Sequence, residues 1–256
     1  MPLSEELRQR TLERFEHDRQ SWEANPALRR LYSGWYARVA AELPPATFGP
    51  RVEIGSGPGF ARGFIPDLEL TDLVRAPWHD REVSADALPF ADATLGALVM
   101  CDVLHHLPSP RAFFDEAVRA LRPGGRIVMC EPYVSPLSYP IYKLFHPEPL
   151  DLRVDPLADQ RGNGSRDPFD ANQAIPTLLF GRRRASFESS FPALEIRRID
   201  RFASVSYPAS GGFSHRPLLP QPVWAALHRL EGKLPLALIR WAAFRMLIVI
   251  ERRGQA

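Results

Sequence analysis

Residues 52–60 read V-E-I-G-S-G-P-G-F, an apolar run that breaks into a glycine at every second position. Gly55, Gly57 and Gly59 let a chain leave a strand through a tight turn and bring its backbone close to a ligand with no side chain between. A helix is expected to follow, and its free amide groups would suit a carboxylate or a phosphate. The dinucleotide fingerprint G-x-G-x-x-G, begun at Gly55, requires a small residue at position 60, where Phe60 stands, so a nicotinamide cofactor fits poorly. Asp72 ends the next apolar run. At that place a carboxylate is expected to accept hydrogen bonds from both hydroxyls of an adenosyl ribose.

Outward from this turn, residues 51–133 alternate short apolar runs (RVEIG, LELTD, REVSA, LGALVMC, RIVMCEP) with segments read as helical, the pattern of a parallel α/β sheet. Ser109 as cap and Pro110 at the first helical position open a helix with Phe113, Phe114, Ala117, Val118 and Leu121 on one face, and Pro123, Gly124 and Gly125 end it. Upstream, residues 4–24 are charged and read as helical. Asn25 and Pro26 then start a second helix with Leu28, Leu31, Tyr32, Trp35, Tyr36, Val39 and Leu43 at helical spacing, which Pro44 and Pro45 stop. Downstream, Leu194–Ile199 and Met246–Ile250 read as strands, with a helix near Val223–Leu230 between them. Residues 134–192 are rich in proline and aromatics and include the polar stretch DQRGNGS. An irregular segment of that length is expected to act as a lid or binding element. The chain is thus read as one α/β domain over 1–256, a doubly wound, mostly parallel seven-stranded sheet with a helical cover at 1–45 and an insertion at 134–192 between the fifth and sixth strands.

At 256 residues, 45% hydrophobic and 24% charged, the chain is long enough for a core and too ordinary in composition for disorder or a disulfide scaffold. A net charge of +2 does not by itself imply a polyanion partner. Cys101 and Cys130 lie in apolar runs and are expected to be buried, reduced thiols, and no Cys or His spacing matches a zinc site, so no metal is expected. The start MPLSEELRQR lacks a signal sequence, and Leu234–Ile250 is too short and too charged to span a bilayer, so a cytoplasmic protein is expected.

The stretches EIGSGPG, TDL, DALPF at 86–90, CDVLHHL at 101–107 and LRPGGRIVMCEP at 121–132 together resemble the class I (Rossmann-like) S-adenosylmethionine (SAM) dependent methyltransferases, over about Arg51 to Tyr133. The resemblance implies that Glu53, Gly55, Ser56, Gly57 and Gly59 face the methionine part of SAM and that Asp72, followed by Leu73, holds the ribose. It implies further that Asp86 bonds the adenine amino group with Ala87 and Leu88 along the ring, although family members often carry extra residues between this acid and the Leu-Pro-Phe. Cys101 to Val103 would lie beside the cofactor, and an N-terminal helix would bring one of Tyr32, Trp35 or Tyr36 over it, although that stripe also reads as a packing face.

Methyl transfer from a sulfonium is an in-line displacement in which the cofactor supplies reactivity and the protein alignment. A base assists a hydroxyl acceptor, and His105 and His106 are the candidates. Glu131, at the end of the fifth strand, is a third, with a helix cap or salt-bridge partner as its alternative role. Tyr139, Tyr142, Phe145, His146, Phe169, Asn172 and Gln173 are candidates for the acceptor pocket. The reading favours a small-molecule acceptor with a hydrophobic body, and oxygen ahead of carbon or nitrogen. Two rivals stand beside it. Arg182, Arg183, Arg184, Arg197, Arg198 and Arg201 suggest a nucleic-acid methyltransferase, weakened because CDVLHH replaces the motif used on exocyclic base amines. A SAM-fold protein that binds without catalysis is the other.

Overall fold

The computed structural model describes residues 3–158 and 167–254. The DQRGNGS stretch lies outside the described residues. Helices α1 (Glu5–Ala24) and α2 (Pro26–Glu42) precede strands β1 (Arg51–Ile54), β2 (Leu68–Asp72), β3 (Arg81–Glu82) and β4 (Leu95–Cys101). Helix α3 (Pro110–Ala120) leads into β5 (Leu121–Pro132). Then come α4 (Ser138–Phe145), the short α5 (Ile175–Thr177) running into a π turn, and α6 (Arg184–Ser190). Strand β6 (Leu194–Phe202), α7 (Ser206–Ala209), α8 (Gln221–Glu231), α9 (Leu236–Ala242) and β7 (Arg245–Arg252) complete the order.

The strands form one seven-stranded sheet in the order β3-β2-β1-β4-β5-β7-β6. The first five are mutually parallel, and β7 runs antiparallel between β5 and β6. This is the mostly parallel, doubly wound sheet expected from the apolar runs. Alternation along each strand sends side chains to both faces. On β4, Leu98 and Met100 join Ile127, Met129 and Ile248 on one face, under Phe113 and Phe114 of α3. Val99 joins Val128 and Val249 on the other, under Leu28, Leu31 and Trp35 of α2 and Trp224 of α8.

Helix starts follow their sequence signals. The Asn25 side chain accepts from the amides of Ala27 and Leu28, and Ser109 accepts from Ala112. One expectation fails: no regular helix follows the glycine turn. Phe60–Gly63 makes a single 3-10 turn, and of the connections between the parallel strands β1 to β5 only the β4–β5 crossing carries an α-helix. Pro58, Pro66, Pro77 and Pro89 remove amide donors and break these connections before a helix can propagate. The REVSA run likewise shrinks to the two-residue β3.

Candidate active site

The glycine turn sits at the carboxyl end of β1, the edge where open α/β sheets bind ligands. It is held from three sides. The Gly57 amide donates to Asp72 Oδ2 at 2.8 Å, while its carbonyl accepts from Trp78 Nε1 at 2.8 Å and lies 2.7 Å from His79 Nε2. His79 Nδ1 accepts from the Ala76 amide, so the ring proton sits on Nε2 and donates to Gly57. Gly55 has φ +68°, and a Cβ there would lie 2.6 Å from a Val103 methyl, so backbone and packing both demand glycine. Helix α1 closes over the turn. Arg19 donates to the Pro58 carbonyl at 2.9 Å, and Trp22 stacks on Phe60 with ring centroids 4.1 Å apart.

Glu53 and Asp72 are both buried here. Burial raises the Glu53 carboxyl from 4.5 to about 8, against a hydrogen bond from Ser56 and reinforced by Asp72, and its Oε2 has no hydrogen-bond partner among the described residues. Burial also pushes Asp72 up, opposed by the amides of Gly57 and Val74.

At the end of β4 the chain turns through Asp102, a non-glycine residue at φ +62°. Its carboxylate receives Arg245 Nη2, from the start of β7, and the Tyr32 hydroxyl at 3.0 Å. Arg245 is buried and lies over the Trp35 ring, 4.6 Å from its centroid. The strained turn is thereby over-determined, and it aims the following residues, Val103–His106, back at the sheet edge. Glu131 holds that segment: Oε1 accepts from the amides of Val103 and Leu104, both at 2.9 Å, and Oε2 lies 2.7 Å from His105 Nδ1. His105 Nε2 stands 3.3 Å from Glu148 Oε2, and His106 Nε2 3.8 Å from Glu148 Oε1. Burial works against the His105 cation, but Glu131 and Glu148 outweigh it and raise the imidazole to about 10. Burial and the neighbouring His105 lower His106 to about 4. Burial opposes ionisation of Glu148, yet the three surrounding histidines pull its carboxyl well below the usual range.

These groups open into one cavity of about 1140 Å³, at the large end of ligand pockets. Gly55, Ser56 and Gly57 of the turn, with Glu53, Asp72, Leu73, Asp86, Cys101, Val103, His105 and His106, line it, whereas Gly59 does not: it packs against Trp78, where a Cβ would come within 2.6 Å of the ring. Glu131 does not; fully buried, it caps and pairs from behind. Ala87 and Leu88 also stand off the wall, where Val83 and Ala85 take their place, and Leu88 packs in the core. Tyr32 and Tyr36 line the cavity while Trp35 packs beneath Arg245. From the insertion, Tyr142, Phe145, His146, Phe169 and Gln173 line it, Tyr139 does not, and Asn172 donates its amide to the His105 carbonyl at 2.9 Å. Cys101 and Cys130 pair in register as free thiols, but Cys101 is half-buried at the cavity rather than enclosed in the core.

Residues 67–129 match a family described as a methyltransferase domain. That stretch, from the start of β2 into β5, is similar to a methyltransferase domain. Among curated proteins, this chain is 47% identical over 51 residues to a demethylmenaquinone methyltransferase of Clavibacter sepedonicus, covering 19% of this chain and 21% of that one. It is 32% identical over 94 residues to an uncharacterized methyltransferase of Mycolicibacterium vanbaalenii, covering 30% and 37%. The matches thus span between about a fifth and two-fifths of those relatives' length. A geranyl diphosphate C-methyltransferase from Streptomyces coelicolor A3(2) superposes with a TM-score of 0.47 at 16% identity, over 88% of this chain and 80% of that one.

SAM, the cofactor that the sequence resemblance implies, fits the residues present. The unpartnered Glu53 oxygen suits the ammonium of a methionine moiety, the glycine turn leaves room beside it, and each Asp72 oxygen keeps acceptor capacity after its backbone bond. Sequence reasoning missed Trp78, His79, Glu148 and Arg245, and it placed Asp102 only within the Cys101–Val103 range, without its pairing to Arg245 and Tyr32. Asp102 sat inside the quoted CDVLHHL stretch, and Arg245 was a lone cation at the head of an apolar strand. Glu148, between two prolines, had no local signal.

Proposed function

We propose that this protein transfers the methyl group of SAM to a small-molecule acceptor with a hydrophobic body, with oxygen favoured as the accepting atom. The observation that carries this reading is that one cavity joins the glycine turn, Glu53 and Asp72 to a His105–His106–Glu148 cluster and to apolar side chains of the insertion. SAM supplies an electrophilic methyl group on a sulfonium. Glu53 takes the cofactor's ammonium, Gly55, Ser56 and Gly57 leave space along its methionine end, and Asp72 with Leu73 receives the ribose. Asp86 with Val83 and Ala85 borders the adenine, and Cys101 and Val103 flank the sulfonium side. His106, the neutral ring, takes the acceptor's proton, while His105, held as a cation between Glu131 and Glu148, orients the cluster beside it. The acceptor oxygen forms the new bond to carbon, the C–S pair returns to sulfur, and the acceptor proton passes to the neutral His106 ring.

Segments 1–45 and 134–192 serve in this reading as cofactor cover and acceptor wall of a single domain. Tyr142, Phe145 and Phe169 give the acceptor side its apolar character. A nucleic-acid substrate is disfavoured because Arg184, Arg197 and Arg198 are tied to Glu188, Glu195, Asp200 and Glu42. The demethylmenaquinone methyltransferases among the relatives favour a second reading, carbon methylation of a quinol ring in the same cavity. Incubation with isotopically methyl-labelled SAM and a panel of phenols, quinols and amines, followed by mass spectrometry, tests both. Labelled phenol ethers support the first reading and ring-methylated quinols the second; label on neither class, with SAM bound, refutes methyl transfer to such acceptors.

A further inference from the structure

The His105–His106–Glu148 cluster has a geometry that proton handling alone does not require. The candidate ligand atoms of all three residues lie within 4.8 Å of one another. The 3.3 Å between His105 Nε2 and Glu148 Oε2, and the 3.8 Å between His106 Nε2 and Glu148 Oε1, bracket the spacing of two ligands on one small ion. Bonds of about 2.0–2.1 Å at a tetrahedral angle put neighbouring ligands about 3.4 Å apart. The orientation of His105 matters as much. Glu131, fully buried, engages Nδ1 and so turns Nε2 toward the cluster, the carboxylate–histidine arrangement that fixes the tautomer of a metal-ligating imidazole. Glu148 is braced in turn by Gln173 Nε2, and the Asn172 amide holds the His105 backbone. All three side chains line the cavity, so a fourth direction is open to a ligand.

We infer that His105, His106 and Glu148 form a binding site for one divalent transition-metal ion, zinc being the best match, with an open coordination position facing the acceptor side of the cavity. Two imidazoles and one carboxylate suit zinc and its neighbours and disfavour magnesium, which takes oxygen ligands. Binding releases any proton on His105 Nε2 to solvent, while Nδ1–H stays on Glu131. The open position would hold an acceptor oxygen and lower its pKa at neutral pH. That role rests on the methyl-transfer reading; the ion site does not.

The test uses the untagged full chain, stripped with a chelator and titrated with cobalt(II) and zinc(II). The expected result is one ion per chain and visible d–d absorption from cobalt of low coordination number. His106→Ala and Glu148→Gln should each weaken uptake at least tenfold while melting like the wild type. Uptake well below one ion per chain by the folded wild type overturns the site, as does uptake unchanged in both variants; the wild-type stoichiometry decides even if a variant fails to fold. SAM calorimetry on the same samples separates the two claims. SAM binding without ion uptake overturns the metal site alone, and ion uptake without SAM binding overturns the methyl-transfer reading together with the open position's role.

Discussion

Glu53 gives the site a pH signature with a definite sign. In the free protein its carboxyl titrates at about 8, so below that pH it holds a proton that a bound ammonium would displace. SAM affinity is therefore expected to fall as pH drops from about 8, by up to about tenfold per unit, and the slope should vanish in Glu53→Gln, as calorimetry can measure. The same group acts on stability. Its folded pKa of about 8 lies above the ordinary 4.5, so the folded state binds more protons in that window and stability falls as pH rises through it. Melts of wild type and Glu53→Gln should diverge with rising pH, the variant becoming relatively more stable. Asp72→Ala removes a charged acceptor from the ribose and the partner of the Gly57 amide; a loss of about 1.5–3 kcal/mol corresponds to roughly 10–100-fold weaker SAM binding. Unchanged affinity in the folded variant would take Asp72 out of the site. These residues were legible because their chemistry is local, a glycine turn and an acid at a strand end. Glu148, Arg245 and His79 were not, since their partners are met only after the insertion, β7 and the β2–β3 connection fold back on the sheet edge.

Among the elements, α3 is the keystone of one sheet face. Phe114 is fully buried, with its ring centroid 4.9 Å from Phe187, 5.1 Å from Phe113 and 5.4 Å from Phe191. Phe114→Ala should cost about 3–5 kcal/mol, read by denaturant unfolding. Because Phe180 and Phe187 belong to the insertion, its α5–α6 portion should be lost in the same transition. A separate early transition of that portion would contradict the packing. Helices with a cap and an apolar stripe, such as α2 and α3, could be read from sequence because periodicity and capping agree there. The connections between β1 and β4 could not, because prolines and glycines there leave short turns where an alternating α/β pattern implies helices.

For the whole molecule, the claim that joins these scales is that the cover of α1 and α2, the carboxyl edge of the sheet and the insertion enclose one cavity holding SAM at the β1 turn. The sheet order follows from apolar runs that any α/β reading captures, whereas the enclosure depends on which loops meet above it. At about 100 times its dissociation constant, SAM should stabilise the chain by roughly 2.7 kcal/mol. The most direct test is a crystal structure with S-adenosylhomocysteine, the demethylated cofactor. The account predicts the ribose hydroxyls on Asp72, the ammonium against Glu53 and the thioether beside Cys101 and Val103. Density for the ligand elsewhere, or a turn closed over Gly55–Gly59 with Asp72 and Glu53 untouched, would contradict it.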